Sequence, residues 1–148
     1  KDYAGEELLV VGILKGASVF CADLIREIDL DVRMDFMVVS SYGSSTESSG
    51  TVKIIKDLDV DIENKNVLIV EDIIDSGLTL SSLVAALKTR RPKSLKLCTL
   101  LDKPQRRTAN IDVDYVGYVI EDKFIVGYGI DYDEKYRNLP YIGIVEDI

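Results

Sequence analysis

Residues Val67 to Leu80, VLIVEDIIDSGLTL, decide how the rest of the chain is read. The run opens on four consecutive apolar residues, the pattern of a strand buried on both faces in a parallel sheet. At its far end Leu80, Leu83, Val84 and Leu87 fall at helical spacing and predict an amphipathic helix closed near Pro92. Between the two, Glu71-Asp72-Ile73-Ile74-Asp75-Ser76-Gly77-Leu78-Thr79 reads as the segment joining strand to helix, where open α/β sheets bind ligands. A helix beginning near Thr79 offers unpaired N–H groups and the positive end of its dipole. Ser76, Gly77 and Thr79 are small enough to let a phosphate come close. Just upstream, Glu71, Asp72 and Asp75 repel a bare phosphate but suit the hydroxyls of a sugar or its metal ion. The ligand implied carries both parts. Read as plain loop and N-cap residues, one of these acids is explained, but hardly an adjacent pair at the end of a strand.

Upstream, Leu8 to Ile13 is a second wholly apolar run. It is followed by Leu14-Lys15-Gly16 and by Phe20, Leu24 and Ile28 at helical spacing, which predict a helix over Ala17 to Ile28. A phospho-acceptor receiver domain, where acids also gather at strand ends, wants an acidic pair after this first strand, and Leu14-Lys15-Gly16 does not supply it. Val32 to Val39 reads as a strand, Ser40 to Gly50 as a long polar loop, and Thr51 to Lys56 as the returning arm of a β-ribbon. A turn over Asp61 to Asn66 leads into the central run. Beyond it, Leu95 to Leu101 predicts a third buried strand, and Tyr115 to Ile120, Ile125 to Tyr128 and Tyr141 to Val145 predict short ones. Strand, glycine turn and helix thus occur twice, and nothing splits residues 1 to 148 into two units. The fold class is α/β, one domain.

Composition narrows the function classes. The chain has 148 residues, 47% hydrophobic and 30% charged, so it can bury one substantial core, and no apolar run is long enough to span a bilayer. A net charge of −8 disfavours a protein whose main task is gripping nucleic acid. Basic residues do cluster at Lys88, Arg90, Arg91, Lys93 and Lys96 and again at Lys103, Arg106 and Arg107, and for all but Lys103 a solvated surface is as good a reading as a functional one. Cys21 and Cys98 lie in apolar stretches, as free thiols in a reducing, cytoplasmic protein do. Lys1-Asp2-Tyr3 reads as the tail of a preceding element, so further N-terminal residues are expected.

VLIVEDIIDSGLTL resembles the phosphoribosyl pyrophosphate signature of the type I phosphoribosyltransferases. GILKGA (Gly12 to Ala17), SYGSSTESSG (Ser41 to Gly50), LLDKP (Leu100 to Pro104) and DKFIVGYGIDYDEKYRNLPYIG (Asp122 to Gly143) are similar, in the same order and spacing, to its bacterial hypoxanthine-guanine branch. The resemblance implies a central parallel sheet flanked by helices, a small hood subdomain and a mobile β-ribbon flap. It implies purine salvage, in which the 5-phosphoribosyl group passes from phosphoribosyl pyrophosphate to hypoxanthine or guanine. Mg2+ is the implied cofactor, and a homodimer or homotetramer the implied assembly.

Roles follow by the same resemblance. Glu71 and Asp72 hold the ribose hydroxyls, directly or through Mg2+, and the stretch Asp75, Ser76, Gly77, Leu78 and Thr79 cradles the 5′-phosphate. Asp75 exchanges a proton with purine N7. Lys15, Gly16 and Arg137 bind pyrophosphate, and a cis peptide is implied at Leu14-Lys15. Asp131 is a third Mg2+ ligand beside the base. Lys103 donates to the exocyclic O6, Phe124 stacks on the ring and Ile125 adds backbone contacts. Ser41 and Tyr42 open the flap that excludes water. Taken alone, Lys15 and Arg137 read as solvated cations and Phe124 equally well as a core aromatic. Two alternatives remain: a regulator that senses phosphoribosyl pyrophosphate on the same fold, and a transferase for another base. Lys103, Phe124 and Asp131 argue against a pyrimidine more than against xanthine.

Overall fold

The structure is a computed structural model that describes residues 1–41 and 52–146. Its elements run β1 (Leu8–Ile13), α1 (Ser18–Glu27), β2 (Val32–Ser41), β3 (Val52–Lys56), β4 (Asn66–Ile74), α2 (Leu78–Lys88), β5 (Ser94–Asp102), a 3-10 turn (Pro104–Arg106), β6 (Tyr115–Val119), β7 (Ile125–Val126) and β8 (Gly143–Ile144). Six strands form one sheet in the order β3-β2-β1-β4-β5-β6, parallel at every step except β2–β3. From β1 the chain crosses through α1 to β2 on one side, and from β4 it crosses through α2 to β5 on the other. Strand order therefore reverses between β1 and β4, and a crevice opens beyond their carboxyl ends.

The apolar runs of β1 and β4 have no polar face because both of their faces are covered. Leu9, Val11, Ile13, Val67 and Ile69 pack with Leu80, Leu83 and Leu87 of α2. The intervening Leu8, Val10, Leu68 and Val70 pack with Cys21 of α1 and Cys98 of β5, and with the half-buried Phe20 and Leu24. Alternation at period two distributes one strand between two cores. Both cysteines are free and buried, and loss of hydration pushes their thiols up to about 11.

The sequence places Glu71 and Asp72 after their strand; in the structure they belong to it. Pairing of β1 with β4 ends at Gly12 and Val70, but pairing with β5 continues through Ile74 opposite Asp102. The nine-residue ladder with β5 carries the backbone past its apolar stretch, so both acids are held on a paired strand whose β1 side has opened. The predicted strand Ile125 to Tyr128 shortens to two residues, because Gly127 and Tyr128 take φ of 95° and 52° and turn the chain. Antiparallel β7 and β8 with the turns between them form a small lobe over the crevice. The β2–β3 ribbon is present up to Ser41 and Val52. Its tip, including Tyr42, lies outside the described residues. Among the described residues no helix is long and apolar enough to cross a membrane.

Candidate active site

The floor of the crevice is the end of β4. Glu71 and Asp72 are half-buried side by side, and burial is the main cause that pushes both carboxyls upward. The negative charge of Asp72 raises Glu71 further. Asp72 is held down in turn by backbone N–H donors, with Ile73 N–H donating to its Oδ1 at 2.6 Å, and by the positive charge of Arg137. Two adjacent, half-buried carboxylates whose charge is opposed by burial suit a ligand that brings hydroxyls or a cation. The β1 turn closes tightly on them: a Cβ on Gly16 would lie 2.0 Å from Asp72 Oδ2. The Leu14–Lys15 peptide in that turn is cis, as the resemblance implies.

Next to the floor is the phosphate-sized turn. Ile13, Val39, Glu71 and the stretch from Ile73 to Leu80, with Leu83, line a cavity of about 280 Å³. Gly77 stands before α2 at φ 78°, a left-handed conformation that glycine takes without strain. Ser76 Oγ accepts from Leu78 N–H at 3.3 Å, so the serine hydroxyl already satisfies one donor at the start of the helix. Other N–H groups of that first turn have no helical carbonyl ahead of them, and Thr79 stands among them at the mouth of the cavity. Arrangement and dipole together favour an anion.

Along the next wall Lys103 is buried, 8% exposed, and places its ammonium 3.7 Å from Asp75 and 3.6 Å from Asp122. A buried cation between two carboxylates is fixed in place rather than solvated. Asp122 is held below the usual carboxylate range, first by Arg106 and then by Lys103. The exposed Phe124 ring sits 5.2 Å from that of Tyr132, tilted by 58°. Ile125 is buried opposite Ile144, and Val145 N–H donates to Phe124 O at 2.8 Å. That pattern makes Ile125 and Ile144 a non-hydrogen-bonded pair, so the N–H and C=O of Ile125 face away from β8.

The outer wall is ionic. Arg137 donates to Gly129 O at 2.8 Å and lies 3.5 Å from Asp131 and 3.1 Å from Glu134. Lys15 reaches the same Glu134 oxygen at 3.4 Å. Gly129, whose Cβ would fall 2.7 Å from Gly16 O, sets the lobe directly on the β1 turn. The structure thus brings Lys15, Gly16, Asp72, Asp131 and Arg137 into one group, and Asp75 and Lys103 into another. Ser41 stands exposed at the end of β2.

Three residues at this site escaped the sequence reading. Glu134 bridges Lys15 and Arg137, and Asp122 anchors Lys103. Arg107, for which a solvated surface and a functional role read equally well, is partly buried against Asp102 and Asp75. For Arg107 a signal existed, the acid five residues earlier at the end of a buried strand. For Glu134 the spacing of three to Arg137 was visible, but its second partner, Lys15, is 119 positions away.

A family model described as phosphoribosyl transferase domain matches residues 1–133. The chain is 61% identical over 145 residues to a hypoxanthine-guanine phosphoribosyltransferase of Bacillus subtilis, covering 98% of this chain and 81% of the relative. It is 59% identical to a bifunctional protein TilS/HprT of Listeria monocytogenes, again over 98% of this chain but only 22% of that longer protein. Among solved structures, a hypoxanthine-guanine phosphoribosyltransferase from Bacillus anthracis superposes with a TM-score of 0.94 at 58% identity, covering 97% of this chain and 85% of that one.

Proposed function

The chain belongs to the phosphoribosyl transferase family, and from that premise we propose that it transfers the 5-phosphoribosyl group of phosphoribosyl pyrophosphate to a 6-oxopurine, hypoxanthine or guanine, in purine salvage. The observation that carries the choice of base is Lys103 fixed 3.7 Å from Asp75. A 6-oxopurine presents N7 and O6 on one edge, so a carboxylate for N7 and an ammonium for O6 must stand side by side. An adenine would present a donor to that ammonium.

In this reading the backbone from Asp75 to Thr79 holds the 5′-phosphate and orients the sugar, while Glu71 and Asp72 take its hydroxyls. Lys15, Gly16 and Arg137 receive the departing pyrophosphate. Positive charge developing at the anomeric carbon faces the Glu71–Asp72 floor, and Asp75 exchanges the N7 proton as the glycosidic bond forms. Phe124 stacks on the base and the outward Ile125 backbone meets its remaining polar edge. Ser41 and Tyr42 bound the segment that excludes water. Glu71, Asp72 and Asp131 are the hard oxygen donors that suit Mg2+, which takes one or two carboxylates together with substrate phosphates and waters. Among the described residues no three such side chains stand together as a metal-holding cluster. When bound, Mg2+ supplies charge neutralisation for the pyrophosphate. A reducing cytoplasmic setting accords with the two buried free thiols, and a homodimer or homotetramer belongs to the same reading.

The test is an assay of the purified protein with Mg2+, phosphoribosyl pyrophosphate and hypoxanthine, guanine, xanthine or adenine in turn. Nucleoside 5′-monophosphate should form with the first two, and turnover with no 6-oxopurine would overturn the proposal.

A further inference from the structure

The carbonyls of the phosphate turn are held from behind. Arg107 Nε donates to Asp75 O at 3.1 Å, and the same guanidinium pairs through Nη2 with the Asp102 carboxylate at the end of β5. Thr108 N–H and Ala109 N–H both donate to Ser76 O at 3.0 Å. The Arg107 stem also closes on Gly77, whose added Cβ would lie 3.2 Å from Arg107 Cδ. Arg107 and Asp102 side chains are only 19% and 12% exposed, so this is not a loose surface pair.

In a trans peptide the C=O and N–H point in opposite directions. The peptides Asp75–Ser76 and Ser76–Gly77 are trans, and residues 107–109 do not line the cavity. Drawing the Asp75 and Ser76 carbonyls outward therefore aims Ser76 N–H and Gly77 N–H inward, at the space the cavity provides. Left-handed Gly77 leaves the turn free to adopt other peptide orientations, and the bonds from residues 107–109 select one. We propose that Arg107 is a positioning residue that turns the Ser76 N–H toward a phosphomonoester dianion, beside the Gly77 N–H that the backbone of Thr108 and Ala109 aims the same way. The inference rests on the proposed phosphoribosyl site.

Two ligands separate the halves of that site: inosine 5′-monophosphate, which needs the turn, and inorganic pyrophosphate with Mg2+, which needs Lys15 and Arg137. In calorimetric titrations of the full chain, Arg107→Met should weaken the monophosphate by about tenfold, as for loss of a hydrogen bond involving a charged group, and leave pyrophosphate within about twofold. In steady-state kinetics the loss should fall on KM for phosphoribosyl pyrophosphate more than on kcat. Arg107→Lys keeps a charge for Asp102 but lacks the planar fork that spans both acceptors, so it should recover only part of the affinity. Wild-type monophosphate affinity in Arg107→Met, or equal loss of both ligands, overturns the proposal. Should the methionine variant not fold, full monophosphate affinity in Arg107→Lys does the same. Wild-type protein that binds neither ligand overturns the site reading itself.

Discussion

The two walls of the crevice are built in different ways. From Glu71 to Thr79 the groups facing the ligand are fixed by a nine-residue strand ladder, a left-handed glycine and the start of a helix whose Leu80, Leu83 and Leu87 are buried. From Phe124 to Arg137 the strand is two residues long, and Tyr128, Asp133, Glu134 and Tyr136 all take positive φ. Here the cationic groups are held by carboxylates of their own neighbourhood, at distances of 3.1 to 3.5 Å and with much of Lys15 and Glu134 in solvent. The first wall owes its shape to the core and to the pairing of β4 with β5. In the second, a carboxylate sits where an anionic ligand would otherwise satisfy the same cations. On the proposed function, a substrate would be added to one wall and exchanged into the other.

Breaking the rigid wall should have the largest effect. Asp75→Asn keeps the size and the backbone of the turn but removes the proton acceptor of the proposed reaction, so turnover should fall by roughly 10²- to 10⁴-fold, as for loss of a general acid–base group. Substrate affinities measured by titration should change much less. An equal fall in affinity and turnover would assign Asp75 to binding alone. A smaller effect is expected where the two walls meet. Gly16→Ala puts a methyl 2.0 Å from Asp72 Oδ2, an atom whose carboxylate is already tied to Ile73 N–H. The turn and the floor must then separate, and kcat/KM for phosphoribosyl pyrophosphate should drop by up to about 10²-fold, as for a displacement of about 1 Å within a catalytic site. The melting temperature should be nearly unchanged, because Gly16 lies outside the cores.

The same contrast governs how much the sequence could reveal. Strands β1, β4 and β5 and helices α1 and α2 were legible because apolar periodicity reports burial directly, and the two cores on the faces of the sheet lie along these elements, whereas a third, smaller one joins β5 to Ile125 and Ile130 of the lobe. The acids at the end of β4 stood out as a candidate ligand site for the same reason: charge adjacent to a doubly buried strand needs an explanation. How far β4 extends was not legible, since Glu71 to Ile74 are held by pairing with β5, a partner that local pattern does not show. In the outer lobe, turns at Gly127 and Tyr128 cut short a stretch whose composition reads as strand. Lys15, Lys103, Phe124 and Arg137 were singled out as candidates through resemblance to a family, because a lone lysine, arginine or phenylalanine carries no local signal. Asp122, and the bridge Glu134 makes from its near neighbour Arg137 to Lys15, become visible only once Lys103 and Lys15 are brought beside them.

Glu134 offers the smallest effect and the sharpest test of exchange at the outer wall. Its carboxyl is held below the usual range, chiefly by the Arg137 hydrogen bond and charge and then by Lys15. Both cations also belong to the proposed pyrophosphate site, so an incoming pyrophosphate has to replace this carboxylate. Glu134→Gln removes the competing charge without changing shape. Because the pairs are exposed, the gain is limited: pyrophosphate affinity should rise by roughly two- to fivefold, the range expected of a surface ion pair. The gain should shrink at high salt, where both the pair and its competitor are screened. Affinity for inosine 5′-monophosphate, which meets the rigid wall, should stay put. If pyrophosphate instead binds more weakly to the glutamine variant, Glu134 is holding Lys15 and Arg137 in their binding geometry, and the outer wall is preformed after all.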